Sequence, residues 1–313
     1  MLANLSFPMV VILACAGICL DLMLGEVRHW HPLAGFGKMA IWTEQKLNRG
    51  RFTLVTGAFA WALAVLPVVI LSYVAMIWRY ADSVWLYTLP HVLLLYFALG
   101  LRSLYDHTWP IQQALQANKL AHARLLTARI VSRDTADADV TELSKTTVES
   151  LLENGNDAVF ATIFWFIVAG GAGALLYRLV NTLDAMWGYR SVRYEKFGKL
   201  AARIDDVMNW IPARLTAVSY ALLGHTRQAL CCWRTQAPHW PSPNAGPVLA
   251  AGAGALSLAL GRSATYDGVI EDRPALGMGH PVSPADIRLA WQLILRTTIL
   301  WLALLLACAI IVH

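Results

Sequence analysis

The chain has 313 residues, of which 57% are hydrophobic and 14% charged, and it carries a formal net charge of +5. Soluble domains average roughly 45–50% apolar and about 25% charged residues, so this composition excludes an ordinary water-soluble globular protein. The modest positive charge follows the usual excess of Lys and Arg in cytoplasmic loops and does not favour nucleic-acid binding. We therefore predict an integral membrane protein.

The apolar residues are concentrated in five runs, each about as long as a bilayer crossing requires. In chain order these are Phe7–Leu24, Thr53–Trp78, Val84–Leu101, Ala158–Tyr177 and Leu293–Val312. The first run has no basic residue before it and contains Asp21, which is not typical of a cleaved signal peptide. We expect four to six membrane-embedded helices.

The distribution of Lys and Arg between these runs predicts the orientation of the chain. Residues 26–52 hold five and residues 102–156 hold six, so both segments are expected in the cytoplasm. A full crossing by Ala158–Tyr177 would place residues 178–292, with twelve Lys and Arg, outside. Because three glycines interrupt that run, we expect it to dip in and return or to lie buried among other helices. The alternative is that Trp210–Leu223 or Pro247–Leu260 crosses back.

The remaining segments also have a helical pattern. Residues 110–130 begin with a proline suited to a helix start, and strand-like alternation is scarce, so we predict an all-α polytopic membrane protein with little or no sheet. We treat residues 1–313 as a single membrane-embedded domain whose large helical cytoplasmic loops, 102–156 and 178–292, carry the site. The five cysteines lack the spacing of a zinc site and are interpreted as small buried apolar residues.

Four polar clusters stand out against this apolar background. They are Arg133-Asp134-Thr135 with Glu149, Glu153, Asn154 and Asp157; Asn181 with Asp184; Arg203, Asp205, Asp206, Asn209 and Arg214; and Ser242 to Gly246 with Glu271 to Pro274 downstream. Carboxylates with amide oxygens suit Mg²⁺, and arginines bind phosphate through paired hydrogen bonds. Each cluster alone is also explained by helix capping and salt bridges at a membrane surface. Together they favour a site for a phosphorylated substrate or nucleotide, although no GxxxxGK[ST] motif is present.

At these same residues the chain resembles the adenosylcobinamide-phosphate synthase family of cobalamin biosynthesis, the CobD/CbiB family. The similarity covers nearly the whole chain. Its motifs are Leu20-Asp21, Gly25-Glu26, His31-Pro32 and Gly37; Arg133-Asp134-Thr135; Glu153-Asn154 with Asp157; Asn181 to Asp184, Gly188-Tyr189, Tyr194, Phe197-Gly198, Ala202-Arg203, Asp205-Asp206, Asn209 and Pro212 to Leu215; and Ser242 to Gly246.

The resemblance implies a multi-pass enzyme of the bacterial inner membrane. It would join the propionate carboxylate of adenosylcobyric acid, a corrinoid, to aminopropanol phosphate with consumption of ATP, and Mg²⁺ is the expected metal. Besides these substrates and membrane lipid, the partners left open are further copies of the chain and other cobalamin-assembly enzymes.

From the residues and the resemblance together we assign roles to the polar clusters. The catalytic candidates are Glu149, Glu153, Asp157, Asp205 and Asp206. The substrate-binding candidates are Arg133, Asp134, Asn154, Asn181, Asp184, Arg203, Asn209, Arg214, Ser242 and Asn244. The metal-ligand candidates are Glu153, Asp157, Asp184 and Asp205.

Two other classes of function are weighed against the enzyme. A sister branch of the same superfamily is a membrane signalling protein, so a relative that has drifted toward signalling or corrinoid binding is the alternative. That branch is poorer in the Arg-Asp-Thr and Asn-Thr-Leu-Asp residues, which this chain retains. A transporter is less favoured, because most charged residues lie in loops rather than inside the apolar runs.

Overall fold

The computed structural model describes residues 5–27, 31–49, 53–79, 83–189, 191–266 and 268–312. The chain is predominantly helical, which confirms the predicted all-α class. The α-helices are α1 (Phe7–Leu24), α2 (Pro32–Leu47), α3 (Thr53–Arg79), α4 (Val84–Ala98), α5 (Leu101–Gln116), α6 (Leu120–Thr127), α7 (Val140–Gly155), α8 (Ala161–Trp187), α9 (Lys199–Leu223), α10 (Thr226–Gln236), α11 (Ala245–Leu256) and α12 (Pro284–Val312). A π-helical turn, Asn156–Phe160, joins α7 to α8, and a 3₁₀ turn, Ala237–His239, follows α10.

Sheet structure is limited to short strands between α11 and α12. These are β1 (Leu258–Gly261), β2 (Ala264–Tyr266), β3 (Val269–Glu271), β4 (Ala275–Leu276) and β5 (His280–Pro281). Strand β1 pairs antiparallel with β4 and parallel with β5, while β2 and β3 form a separate antiparallel pair. The expectation of little or no sheet is therefore confirmed, with this one exception.

By length and composition, five helical stretches are long and apolar enough to cross a membrane. They are Phe7–Leu24, Thr53–Trp78, Val84–Gln116, Val140–Trp187 and Pro284–Ile311. The protein is thus a multi-pass membrane protein. Of the two segments considered as alternative crossings, the second contains α11, whose twelve residues span only about 18 Å. Neither segment belongs to the five stretches.

Helix α8 turns back on itself in the middle. Ala169 and Gly170 leave the helical region, and Gly170 has φ 64° and ψ −154°, a conformation that glycine adopts readily. A Cβ on Gly173 would collide with the carbonyl of Trp165, eight residues earlier, although a straight helix would hold them about 12 Å apart. The two halves therefore pack against each other, and the dip of this run into a membrane stays a prediction.

The backbone opened by this turn is bonded to another helix. The N–H of Gly171 donates a 2.9 Å hydrogen bond to Nδ1 of His91 on α4. A buried N–H without a partner would cost free energy comparable to a lost hydrogen bond. Gly171 also lies so close to α4 that a Cβ would be 2.9 Å from the Cα of His91. The irregular backbone is thus covered by protein, the condition under which it is tolerated at membrane depth.

Two sequence-based expectations need correction. Pro110 does not start a helix but lies inside α5, which begins at Leu101 and ends before Asn118, a residue with φ 55°. Proline frees one backbone carbonyl in a helix interior, a cost that tertiary packing can offset.

The prediction that the cysteines are buried holds only for Cys232. Cys15 is half-buried, Cys19, Cys231 and Cys308 are exposed, and all five are unpaired. Cys19 and Cys308 lie on apolar helices, where exposed small residues would face lipid.

The chain forms two compact units, each built from separated segments. Unit 1 comprises residues 1–101, 161–209 and 305–313, and unit 2 comprises residues 102–160 and 210–304. The core of unit 1 includes Phe36, Leu183, Trp187 and Phe197, all less than a tenth exposed. In unit 2, α11 is buried from Ala245 to Ala255. The single domain expected over residues 1–313 stays a prediction.

Candidate active site

In unit 2, three acidic and three basic side chains form a group that we call the charged centre. Its members are Arg133, Lys145, Glu149, Glu153, Asp157 and Arg273. The acidic residues are spaced by four on α7 and the π-helical turn, and this spacing places them along one helix face. Lys145 occupies the turn before Glu149 on the same helix. With all groups ionised the six charges sum to zero, so a bound phosphate would introduce a net negative charge.

Glu149 lies at the middle of the charged centre and is only 1% exposed. Its Oε2 accepts hydrogen bonds from Nη2 of Arg133 at 2.8 Å and from Nη2 of Arg273 at 3.2 Å, and its Oε1 accepts the N–H of Gly261 at 2.8 Å. Burial is the largest single effect and opposes the charge on Arg133, but Glu149, Tyr266 and Glu153 together outweigh it, so the pKa of the guanidinium is raised. Glu149 therefore fixes the positions of two arginines.

Gly261 presents its N–H to Glu149 from the end of β1. The residue has φ +73°, a left-handed conformation, and a Cβ would collide with the carbonyl of Pro274. Glycine is the residue that meets both conditions without strain. Arg273 directly precedes Pro274, and its Nε donates a hydrogen bond to the carbonyl of Arg262. Its guanidinium lies 5.2 Å from the ring centre of Trp240. The short strands thus bring an arginine to the charged centre.

Glu153 differs from Glu149 in its surroundings. It is half-buried, and no side-chain hydrogen bond holds it among the described residues. Its charged neighbours are Asp157, Glu149, Arg133 and Arg273. A carboxylate in this setting is available to accept a proton or to bind a cation.

The π-helical turn that carries Asp157 is bonded on both sides. Asn156 donates through Nδ2 to Oδ1 of Asp157 at 2.8 Å and accepts the hydroxyl of Thr216 at 2.9 Å. The hydroxyl of Tyr220 donates to the carbonyl of Leu152 at 3.3 Å. Burial, and then the negative charge of Asp157, raises the pKa of Tyr220, so this hydroxyl stays a donor. π-helical turns are frequent at functional sites.

The other substrate-binding candidates in unit 2 form hydrogen bonds with the backbone. Oδ2 of Asp134 accepts the N–H of Gly268 at 2.8 Å. Asn154 donates through Nδ2 to the carbonyl of Ser150 at 2.9 Å. The hydroxyl of Ser242 accepts the N–H of Ala245 at 3.1 Å, which closes the turn before α11.

Arg214 connects α9 to the loop that precedes α11. Its Nη1 donates to Oδ1 of Asn244 at 2.9 Å and its Nη2 donates to the carbonyl of Pro243 at 3.2 Å. The guanidinium also lies 4.3 Å from the ring centre of Trp210. Burial lowers the pKa of Arg214. With these bonds in place, Arg214 positions the loop rather than presenting a free guanidinium.

In unit 1, four residues form a group that we call the amide network: Tyr177, Asn181, Asp205 and Asn209. Asp205 is 7% exposed and accepts Nδ2 of Asn181 and Nδ2 of Asn209, each at 3.3 Å. The hydroxyl of Tyr177 donates to Oδ1 of Asn209 at 3.1 Å. The second and third polar clusters therefore meet within this unit.

The remaining candidates of unit 1 lie beside the amide network. Asp184 is half-buried near the end of α8, and its carbonyl accepts the N–H of Gly188 at 2.7 Å. Asp206 is half-buried and Arg203 is exposed on α9. The four metal-ligand candidates divide between the units, with Glu153 and Asp157 in unit 2 and Asp184 and Asp205 in unit 1. Within the described ranges, no group of three or more His, Cys, Asp or Glu side chains could hold a metal ion.

The comparison with known protein families decides the classification. The profile of the family described as CobD/Cbib protein matches residues 14–294. The chain belongs to the CobD/CbiB family. This CobD/CbiB chain is 52% identical over 291 residues to the "Cobalamin biosynthesis protein CobD" of Stutzerimonas stutzeri, an alignment that covers 92% of this chain and 94% of the relative.

Two further relatives of the CobD/CbiB chain carry the same name. The protein from Chromobacterium violaceum is 46% identical, with 94% of this chain and 95% of the relative covered. The protein from Mycobacterium tuberculosis is 38% identical, with 88% of each covered. No solved structure was found to match the chain. The family resemblance and the role in cobalamin biosynthesis inferred from the sequence are thus confirmed.

Proposed function

We propose that this CobD/CbiB protein is the amide-forming synthase that joins adenosylcobyric acid to aminopropanol phosphate in the bacterial inner membrane. The observation that carries the proposal is the charged centre, where two arginines held by Glu149 lie beside Glu153, a carboxylate without a hydrogen bond among the described side chains. Amide formation from a carboxylate needs phosphate binding and removal of a proton from an amine. The charged centre contains residue types suited to both tasks.

The chemistry would proceed in two steps. The γ-phosphoryl group of ATP is transferred to the corrinoid carboxylate, which gives an acyl phosphate and ADP. The amine of aminopropanol phosphate then attacks the carbonyl carbon, the C–O bond to phosphate breaks, and the amine proton is taken up by Glu153. Arg133 and Arg273 bind the phosphoryl oxygens, whose negative charge they stabilise through both steps.

Magnesium fits this proposal as a partner of the nucleotide. Carboxylate oxygens of Glu153 and Asp157 are suitable donors, and Mg²⁺ is commonly held by one or two carboxylates together with substrate phosphates. When bound, the ion would neutralise the charge that a phosphate adds to the balanced charged centre. The amide network of unit 1 is a separate group of polar side chains, in which Asp205 is proposed as a catalytic and metal-binding residue and Asn209 as a substrate-binding residue.

The test is amide formation by the full chain in purified membranes supplied with adenosylcobyric acid, aminopropanol phosphate and Mg-ATP. The wild-type chain is expected to form the amide, and Glu153→Gln is expected to lower kcat about 10²–10⁴-fold, the usual contribution of a general base. Glu142→Gln is the matched control, because Glu142 lies on the same helix near Lys145 but forms no side-chain hydrogen bond with Glu149, Arg133 or Arg273 among the described residues. Asp205→Asn tests the amide network in the same assay.

Product from wild type and Glu142→Gln, but not from Glu153→Gln, would support the proposal. Amide formation that is unchanged in Glu153→Gln would remove Glu153 from the mechanism. Absence of product from a well-folded wild-type chain that still binds the corrinoid would instead favour the drifted, corrinoid-binding relative.

A further inference from the structure

The two arginines of the charged centre are covered. The side chains of Arg133 and Arg273 are only 12% and 10% exposed. A phosphate that binds both guanidiniums must therefore reach groups from which solvent is largely excluded. Enclosed sites of this kind exchange their ligands through the movement of a loop or a lid. Some part of the cover must open for a ligand to enter.

The cover includes the segment of residues 262–274, which we call the β2–β3 hairpin. Its two strands pair antiparallel, with Thr265 opposite Ile270. Tyr266 on β2 contributes to the raised pKa of Arg133, which places its side chain near that guanidinium. Arg273, at the far end of the hairpin, donates to Glu149 at 3.2 Å. The hairpin thus borders one arginine of the charged centre and carries the other.

The β2–β3 hairpin has little apolar anchoring. Of its described residues only Ala264 is buried, and Val269 and Ile270 on the second strand are exposed. By contrast, α7 and α11 contain long runs of buried residues. Segments with few buried apolar contacts open locally at a small cost in free energy. The hairpin is therefore the part of the cover best suited to open.

Asp134 fastens the hairpin from the loop that precedes α7. Its N–H donates to the carbonyl of Thr265 at 2.9 Å, and its Oδ2 accepts the N–H of Gly268 at 2.8 Å. The second bond is exposed to solvent, and such a bond is readily exchanged for a bond to water. Because Asp134 is the neighbour of Arg133 in the chain, release of the hairpin acts directly on the charged centre.

The backbone at both ends of the hairpin is suited to a hinge. Gly261 and Arg262 have φ of 73° and 63° at its start, and Gly277 has φ of 78° three residues after its end. The left-handed conformation is uncommon and costly for a residue other than glycine, so Arg262 stores strain that opening releases. Hinges are short segments at the ends of elements that absorb changes in φ and ψ.

We propose that the β2–β3 hairpin is a lid over the charged centre, latched by Asp134, and that its opening admits ligands to Arg133 and Arg273. Asp134 is then a positioning residue rather than a ligand-binding one. That the ligand carries phosphate rests on the proposed function, whereas the opening of the lid does not.

The access experiment measures phenylglyoxal modification of Arg273 by peptide mass spectrometry on the full chain in nanodiscs. In a chain whose five native cysteines are replaced by alanine, Asp134→Cys with Thr265→Cys supplies a disulfide between two hydrogen-bonded segments. Modification should be about tenfold slower or more in the oxidised form than after reduction, because the closed lid shields the guanidinium. Arg227, exposed on α10, is the internal reference and should react equally in both forms.

A second variant loosens the latch without a cross-link. Asp134→Ala should raise the modification rate of Arg273 about tenfold, the effect of losing a hydrogen bond to a charged group. Asp137→Asn, at an exposed position in the same loop, is the matched control and should react as wild type does. Equal modification of the oxidised and reduced forms, or of Asp134→Ala and wild type, would overturn the proposal.

The amide-forming assay separates the lid from the proposed function. If both hold, the cross-linked chain will lose turnover when oxidised and regain it on reduction. If the cross-link shields Arg273 but wild type forms no amide, the lid stands and the synthase fails. If the oxidised and reduced forms make amide equally fast and Arg273 reacts equally in both, the lid fails and the synthase stands.

Discussion

Replacing Glu149 with glutamine should destabilise unit 2 strongly, although the two side chains have nearly the same shape. The carboxylate is 1% exposed and accepts three hydrogen bonds, two of them from largely buried arginines. Glutamine removes the negative charge and turns one acceptor into a donor that faces another donor. Breaking a buried ion pair by removing one partner typically costs about 3–5 kcal/mol, and hydrogen bonds to charged groups contribute about 1.5–3 kcal/mol each.

We therefore expect Glu149→Gln to lower the free energy of unfolding by roughly 3–5 kcal/mol, about a 10²–10⁴-fold change in the unfolding equilibrium. The measurement is denaturant unfolding of the full chain in detergent micelles, followed by circular dichroism. Glu142→Gln on the same helix is the control and should change the free energy by no more than about 0.5 kcal/mol.

A second variant tests the physical reason for this loss. If the cost comes from arginines left without a counter-charge, then adding Arg133→Met to Glu149→Gln should recover part of the stability. The coupling between the two changes should be about 0.5–3 kcal/mol. The reasoning would be refuted if Glu149→Gln and Glu142→Gln had equal free energies of unfolding. It would also be refuted if the double variant were no more stable than Glu149→Gln alone.

Three further predictions concern unit 1. The hydrogen bonds from Arg193 lower the pKa of Glu44, so this carboxylate stabilises the fold above pH 4.5 and the contribution is lost as the pH falls further. Glu44→Gln should therefore make the melting temperature less dependent on pH between about pH 5 and 3. Burial lowers the pKa of His31, so its contribution is complete above pH 6.5 and declines below it, and His31→Asn should flatten the melting profile between pH 7 and 5. Gly198→Ala would push a Cβ into a backbone carbonyl and should cost roughly 1–3 kcal/mol in unfolding measurements, whereas Gly35→Ala, with no atom within 4 Å, should not destabilise.

The helical class and the membrane-embedded runs followed from the sequence because they depend on local composition. Five apolar runs were enough to identify five stretches that the structure also presents as apolar helices. The turn inside α8 was anticipated from Gly170 and its glycine neighbours, since irregular backbone needs such residues. The extension of α5 through Pro110 was not anticipated, because proline at a helix start and proline inside a packed helix look alike in sequence.

The candidate site was predicted in part. Arg133 and Glu149 were both selected as polar residues in an apolar chain, but their pairing at 2.8 Å depends on the loop that joins α6 to α7. Arg273 was noticed as part of a charged segment without a role, and its contact spans 124 residues. Lys145 was missed, although its position four residues before Glu149 was a usable signal. Long-range contacts of this kind require the tertiary fold.

The bond between Gly171 and His91 also has a consequence for biogenesis. The acceptor on α4 lies 80 residues ahead of the donor in the chain, so a ribosome delivers α4 before the turn of α8 is made. Helix α4 is therefore already available as a hydrogen-bond partner when the turn of α8 forms.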